Sequence, residues 1–107
     1  MAKQIILKDK EGNEYTLEFN RKTVERMERN GFVVDTDRPY TMITQLFNGA
    51  FQMHHRKIDA DRVQRIWDEQ TRKDDLLQAL VQMYMEPITS LMQDPEGEDE
   101  NPTWKMV

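Results

Sequence analysis

The stretch Glu14-Tyr15-Thr16-Leu17-Glu18-Phe19-Asn20-Arg21-Lys22-Thr23-Val24-Glu25-Arg26-Met27-Glu28-Arg29-Asn30-Gly31-Phe32 changes its hydrophobic period half-way along, and that change sets the fold class. Up to Asn20, Tyr15, Leu17 and Phe19 alternate with Thr16, Glu18 and Asn20, the period of two of a half-buried strand. Beyond Asn20 the inward residues are Val24 and Met27, while Arg21/Glu25 and Glu25/Arg29 have the i,i+4 spacing of ion pairs on a helix surface. Asn20 suits the N-cap of this helix, predicted over Arg21–Asn30, because its side-chain oxygen can accept from a free first-turn amide. Gly31 suits the left-handed residue that ends it, which places Phe32 where a Schellman ending packs it back on Met27.

Toward the N-terminus, Lys3–Asp9 reads as a partner for the strand Glu14–Asn20. Lys10-Glu11-Gly12-Asn13 joins the two, with Gly12 able to close a type I turn and G1 bulge, so the pair is an antiparallel hairpin. Ile5 and Leu7 then share a buried face with Tyr15, Leu17 and Phe19. Toward the C-terminus a connector, Val33–Arg38, leads to Pro39, which costs nothing in the first turn of a helix. That helix is predicted over Pro39–His55, with Met42, Ile43, Leu46, Phe47, Ala50, Phe51, Met53 and His54 on one half of the wheel and His55 on the other. Asp59 or Asp61 can cap a third helix through Thr71, with the stripe Ala60, Val63, Ile66 and Trp67. Thr71 and Asp74 have the spacing of a capping box and open the longest helix, to about Met92, which Pro87 is predicted to kink or divide.

The last helix carries more apolar surface than one small core needs. Leu76, Leu80, Met83, Tyr84 and Leu91 make a sufficient core stripe, and Leu77, Val81, Met85, Ile88 and Met92 form a second stripe roughly 100° round the wheel. Three of the eight methionines of the chain fall here, and their flexible thioethers suit a surface that adapts to varied apolar partners. Leu77, Val81, Met85, Ile88 and Met92 are therefore the expected partner-binding face, with core packing on the hairpin as the alternative use of the same stripe.

These elements amount to a single α+β domain over residues 1–93, an N-terminal antiparallel β-hairpin packed on a bundle of about four helices. Residues 94–107 follow as a disordered acidic tail. At 107 residues the chain has room for one core. Of its 20 acidic residues, five lie within Asp94–Glu100, which leaves 15 against 15 basic residues elsewhere, so the net charge of −5 is carried by the tail. A neutral body with interspersed signs lacks the clustered cations that nucleic acid binding requires. No apolar run exceeds three residues, which excludes a membrane span or a secretory signal, and zero cysteines exclude a disulfide scaffold and thiolate chemistry.

Catalytic chemistry finds little to work with. Ser90, in Ile88-Thr89-Ser90-Leu91, lacks the glycines of a nucleophile elbow, and the four glycines are too scattered for a phosphate loop. His54-His55 with Asp59 and Asp61 could hint at a metal, but adjacent helical side chains point about 100° apart, and His54 belongs to the apolar arc. Asp68/Glu69 and Asp74/Asp75 diverge in the same way, and Asp74/Asp75 sit where a helix N-terminus favours negative charge. The reading is a non-enzymatic binding protein with no cofactor and no metal.

The order of segments resembles a known family. A charged hairpin running through Tyr15-Thr16-Leu17-Glu18-Phe19-Asn20 into a short helix ending Arg29-Asn30-Gly31-Phe32, then a compact helical body and an acidic tail, is similar to the small tail assembly chaperones of long-tailed bacteriophages and prophages. The likeness covers about residues 3–93 and is one of pattern, without a catalytic signature. It implies a non-enzymatic helper in the host cytoplasm that binds the tape measure protein, helps recruit tail tube subunits and self-associates as a homo-oligomer. It assigns no individual residue, so the expected client face remains the second stripe of the last helix. The competing expectation is a structural virion component, either a head–tail connector or a tail completion subunit. The tail is expected to keep a neutral, Met-rich body soluble and to limit premature polymerisation by charge repulsion, with Trp104 either a separate sticky end or part of a disordered terminus without a role.

Overall fold

The computed structural model describes residues 3–96 and 102–107. Two strands, β1 (Gln4–Lys8) and β2 (Glu14–Glu18), precede four helices, α1 (Arg21–Arg29), α2 (Pro39–Phe51), α3 (Ala60–Glu69) and α4 (Lys73–Leu91). The fold is α+β, an N-terminal antiparallel hairpin followed by four helices. Gln93–Glu96 and residues 102–107 form neither helix nor strand, and the tail acids Glu98, Asp99 and Glu100 lie outside the described residues.

The hairpin pairs Ile5 with Leu17 and Leu7 with Tyr15, which puts the apolar alternation of both strands on one face. Leu7, Tyr15, Leu17 and Phe19 are buried and Ile5 is half-buried, whereas Ile6 on the opposite face is 63% exposed. Gly12, at φ +85°, closes the turn, and its amide donates to the Asp9 carbonyl at 3.1 Å. Asp9 Oδ1 also accepts from the Glu11 and Asn13 amides, both at 2.9 Å, so the carboxylate satisfies backbone donors that a tight turn leaves free.

The expected caps of α1 are formed. Asn20 accepts from the Thr23 amide at 2.8 Å, and the Thr23 hydroxyl accepts in return from the Asn20 amide, also at 2.8 Å. At the other end Gly31 sits at φ +91°; its amide donates to Glu28 and that of Phe32 to Met27, both at 2.9 Å, the two bonds of a Schellman ending. Phe32 turns its ring to Tyr84 on α4, with centroids 5.1 Å apart. Met27 lies against Gly49 of α2 so closely that a Cβ there would come within 2.6 Å of its sulfur. Glu25 pairs with Arg29 at 2.6 Å, while Arg21 reaches across to α4.

Helix α2 organises the core, packing on β2, α3 and α4, while α1 packs on α4. Leu46, Phe47, Ala50 and Phe51 from α2 join Leu17, Ile66 and Leu80 as its most buried residues. The aromatic rings meet edge to face: Phe51 on Tyr15 at 5.7 Å and on Phe47 at 5.0 Å, Phe47 on Trp67 at 4.9 Å, and Phe19 on Tyr84 at 5.2 Å. This geometry favours both area burial and the quadrupoles of the rings.

The strands and α1 are one or two residues shorter at their ends than expected, and the boundaries of the later helices differ in kind. Helix α2 ends at Phe51 instead of His55, so the wheel projection fails for the histidines: His54 is exposed and His55 is half-buried. Helix α3 starts at its Asp59 cap, whose side chain accepts from the Asp61 amide at 2.8 Å, but stops at Glu69, short of Thr71. The Thr71/Asp74 capping box does not form. Arg72 stands at the start of α4 in the left-handed conformation, φ 54°, with no side-chain cap, and its guanidinium bonds Asp75 at 2.8 Å. The short link leaves Thr71 no room to cap, because Gln70 is tied to the Lys8 carbonyl and Lys73 Nζ to the Gln70 carbonyl. Pro87 does not divide α4, which runs as one helix from Lys73 to Leu91 with the proline ring buried.

Candidate interaction surface

The five residues expected to meet a partner separate by depth. Leu77, Val81 and Ile88 are half-buried against the core, whereas Met85 is 41% and Met92 84% exposed. Leu91, assigned by the wheel to the core stripe, is instead 66% exposed. Leu91 and Met92 follow Pro87, the last buried residue of α4, and Met85 lies on its outer face. On α4 the exposed apolar residues are therefore Met85, Leu91 and Met92.

Beside this end of α4 lies a groove of about 550 Å³ shared with α1. Val24, Pro87, Ile88 and Leu91 supply its apolar lining, and Arg21, Glu25, Glu28 and Arg29 its charged lining. Arg21 fixes the two helices together, donating to the Ser90 carbonyl at 3.0 Å and to the Ser90 hydroxyl at 3.2 Å. That hydroxyl donates to the Pro87 carbonyl at 2.9 Å, so Ser90 serves as a brace between helices. The groove brings Val24 to a face that sequence spacing on α4 alone could not complete.

A second cluster joins the hairpin to α3 and to the segment between α2 and α3. Asp9 Oδ2 accepts from the Tyr15 hydroxyl at 3.1 Å, and Tyr15 accepts from Arg62 Nη2 at 2.8 Å, with the guanidinium 3.8 Å from the carboxylate. The donor contacts, led by the Asn13 side chain, hold the Asp9 carboxyl below its ordinary range, and the bond to Tyr15 pushes Arg62 up. Glu18 accepts from His54 Nε2 at 2.8 Å and from Gln4 at 2.8 Å, and these bonds lower its pKa. His55 Nε2 accepts from the Thr16 amide at 3.0 Å, on the edge of β2 not paired with β1. Burial, with His54 nearby, pushes the His55 pKa down, keeping the ring neutral and the acceptor lone pair free.

This cluster binds the fold together, and its acceptors already carry donors. Among the described residues no group of three or more His, Cys, Asp or Glu side chains is placed to hold a metal. The two histidines diverge to Glu18 and Thr16, while Asp68/Glu69 and Asp74/Asp75 stay on separate turns, Asp75 engaged by Arg72 and Glu69 by the Lys10 amide. Sequence reasoning did not find Asp9, Tyr15 or Arg62 as a unit, because Arg62 is 47 positions from Tyr15. The one local signal was an acid four residues before Asn13 at a glycine turn.

A family described as a domain of unknown function (DUF5055) matches residues 1–107. The chain belongs to the DUF5055 family. No curated protein and no solved structure matches it. Among the described residues no helix of this DUF5055 chain is long and apolar enough to cross a membrane.

Proposed function

We propose that this chain is a non-enzymatic tail assembly chaperone of a long-tailed bacteriophage or prophage, which binds the tape measure protein in the host cytoplasm and helps recruit tail tube subunits. The reading rests on the resemblance carried by the hairpin, the short first helix and the acidic tail. The observation that supports it most is the apolar surface of α4, where Met85, Leu91 and Met92 stand exposed and Leu91 lines a part-apolar groove with α1. A groove between two helices, one of which also exposes adaptable methionines, suits the apolar side of a helical client segment.

The test is co-expression of this chain with the tape measure protein of the same phage or prophage, followed by copurification. The expected result is a soluble complex that Met85→Glu weakens. Met85 is exposed enough for the carboxylate to stay hydrated, so folding stability should change by no more than about 0.5 kcal/mol. Full capture by a folded Met85→Glu protein removes the α4 face from the reading. Mass spectrometry of purified particles decides between this and a structural role: a chaperone is absent, whereas a head–tail connector or tail completion subunit remains at fixed stoichiometry.

A further inference from the structure

The cleft between α2 and α3 is lined differently from the rest of the surface. It holds about 310 Å³ and its lining contains no Asp, Glu, Lys or Arg, although these make up 33% of the chain. Ile43, Phe47, Val63 and Trp67 form an apolar wall, with the amide side chains of Asn48 and Gln64 beside it. A concave apolar site with a few neutral polar groups suits one aromatic side chain bearing a single donor. The chain itself supplies such a group: Trp104 is 70% exposed, with Met106 and Val107 exposed after it, and no hydrogen bond or aromatic contact joins its indole to the described residues.

We propose that Trp104 of one copy seats in the α2–α3 cleft of a second copy, and that the exchange is reciprocal. Trp104 lies thirteen chain steps beyond Leu91. At about 3.3–3.6 Å per residue they span up to about 43–47 Å, enough to reach a neighbouring body. Asp94, Glu96, Glu98, Asp99 and Glu100 lie in this arm. The cleft carries no acid to repel the approaching arm. Two identical arms filling two identical clefts close a two-fold dimer and leave no unfilled end. The inference needs only this chain and does not rest on the chaperone reading.

The two tryptophans make the exchange directly observable, since Trp104 is the occupant and Trp67 lines the cleft. Nuclear magnetic resonance of the ¹⁵N-labelled full chain shows two indole N–H signals, recorded across a dilution series alongside sedimentation equilibrium. Both signals should move together, with the midpoint of the monomer–dimer transition. Trp104→Ala should abolish the movement of the Trp67 signal and weaken association by roughly tenfold or more, as loss of a buried aromatic anchor does. Ala60→Glu, which places a carboxylate on the cleft wall, should do the same; Ala60 is exposed in the first turn of α3, where an acid is tolerated. A Trp67 signal that ignores concentration overturns the proposal. A Trp67 shift that depends on Trp104 but not on concentration overturns it equally, by placing the arm in its own cleft. Dimerisation unchanged in Trp104→Ala assigns the interface elsewhere.

Discussion

His55 is held by a hydrogen bond whose direction requires a neutral ring, because its Nε2 accepts from the Thr16 amide. Burial lowers its folded pKa, so its contribution is complete above the ordinary histidine value of about 6.5 and is lost as pH falls from there through the folded value. Glu18 and Asp9 are also lowered, and their contributions persist until pH falls through the carboxylate range. The melting temperature should therefore hold between pH 8 and 7 and begin to fall near pH 6.5. His55→Ala should cost about 1–2 kcal/mol at pH 8, the lost bond plus an unsatisfied amide, and flatten the first part of that profile. A profile as steep in the variant as in the parent assigns the titration to another group. The His54/His55 pair also shows where residue-level reading stops. Which ring faces inward depends on where α2 ends, and nothing between Phe51 and His55 announces that end as Asn20 and Gly31 announce the ends of α1.

Among the elements, α2 carries the greatest packing load and α4 the greatest local conflict. Phe51 is fully buried and touches Tyr15, Phe47 and His55 edge to face, so Phe51→Ala should destabilise by about 3–5 kcal/mol in denaturant titration. Ile6→Ala, on the open face of the hairpin, should change stability by no more than about 0.5 kcal/mol. Pro87 interrupts the bond to the Met83 carbonyl inside an otherwise regular helix. Relieving it with Pro87→Ala should gain up to about 3 kcal/mol of helix propensity, against about 1–2 kcal/mol of lost ring burial. A higher melting temperature with slightly stronger helical circular dichroism is the expected result, and a lower one makes packing of the ring decisive. The types and order of all six elements were legible because their periods differ sharply. Thr71 misled because capping-box spacing is local, while the α3–α4 link is set by bonds from Gln70 to β1, more than sixty residues away in the chain.

At the scale of the whole molecule, the tail carries two opposing influences on assembly. Acid-to-amide replacement at Asp94, Glu96, Glu98, Asp99 and Glu100 with Trp104 retained should strengthen self-association, most visibly at low salt where screening is least. Trp104→Ala should weaken it at every salt concentration. Truncation after Gln93 should leave the melting temperature nearly unchanged, since the described tail residues are exposed and add nothing to the core. By itself the sequence determined the α+β class, the hairpin and its buried face, the capping of α1 and the segregation of negative charge into the tail. Each of these follows from short-range period, cap chemistry or charge arithmetic. Only the tertiary structure decided that Leu77, Val81 and Ile88 pack inward while Met85, Leu91 and Met92 stay free. It alone united Asp9, Tyr15 and Arg62, and opened an uncharged cleft between α2 and α3. The physical reason is that exposure and side-chain pairing depend on where one element ends relative to another, and that alignment is fixed by packing across the fold.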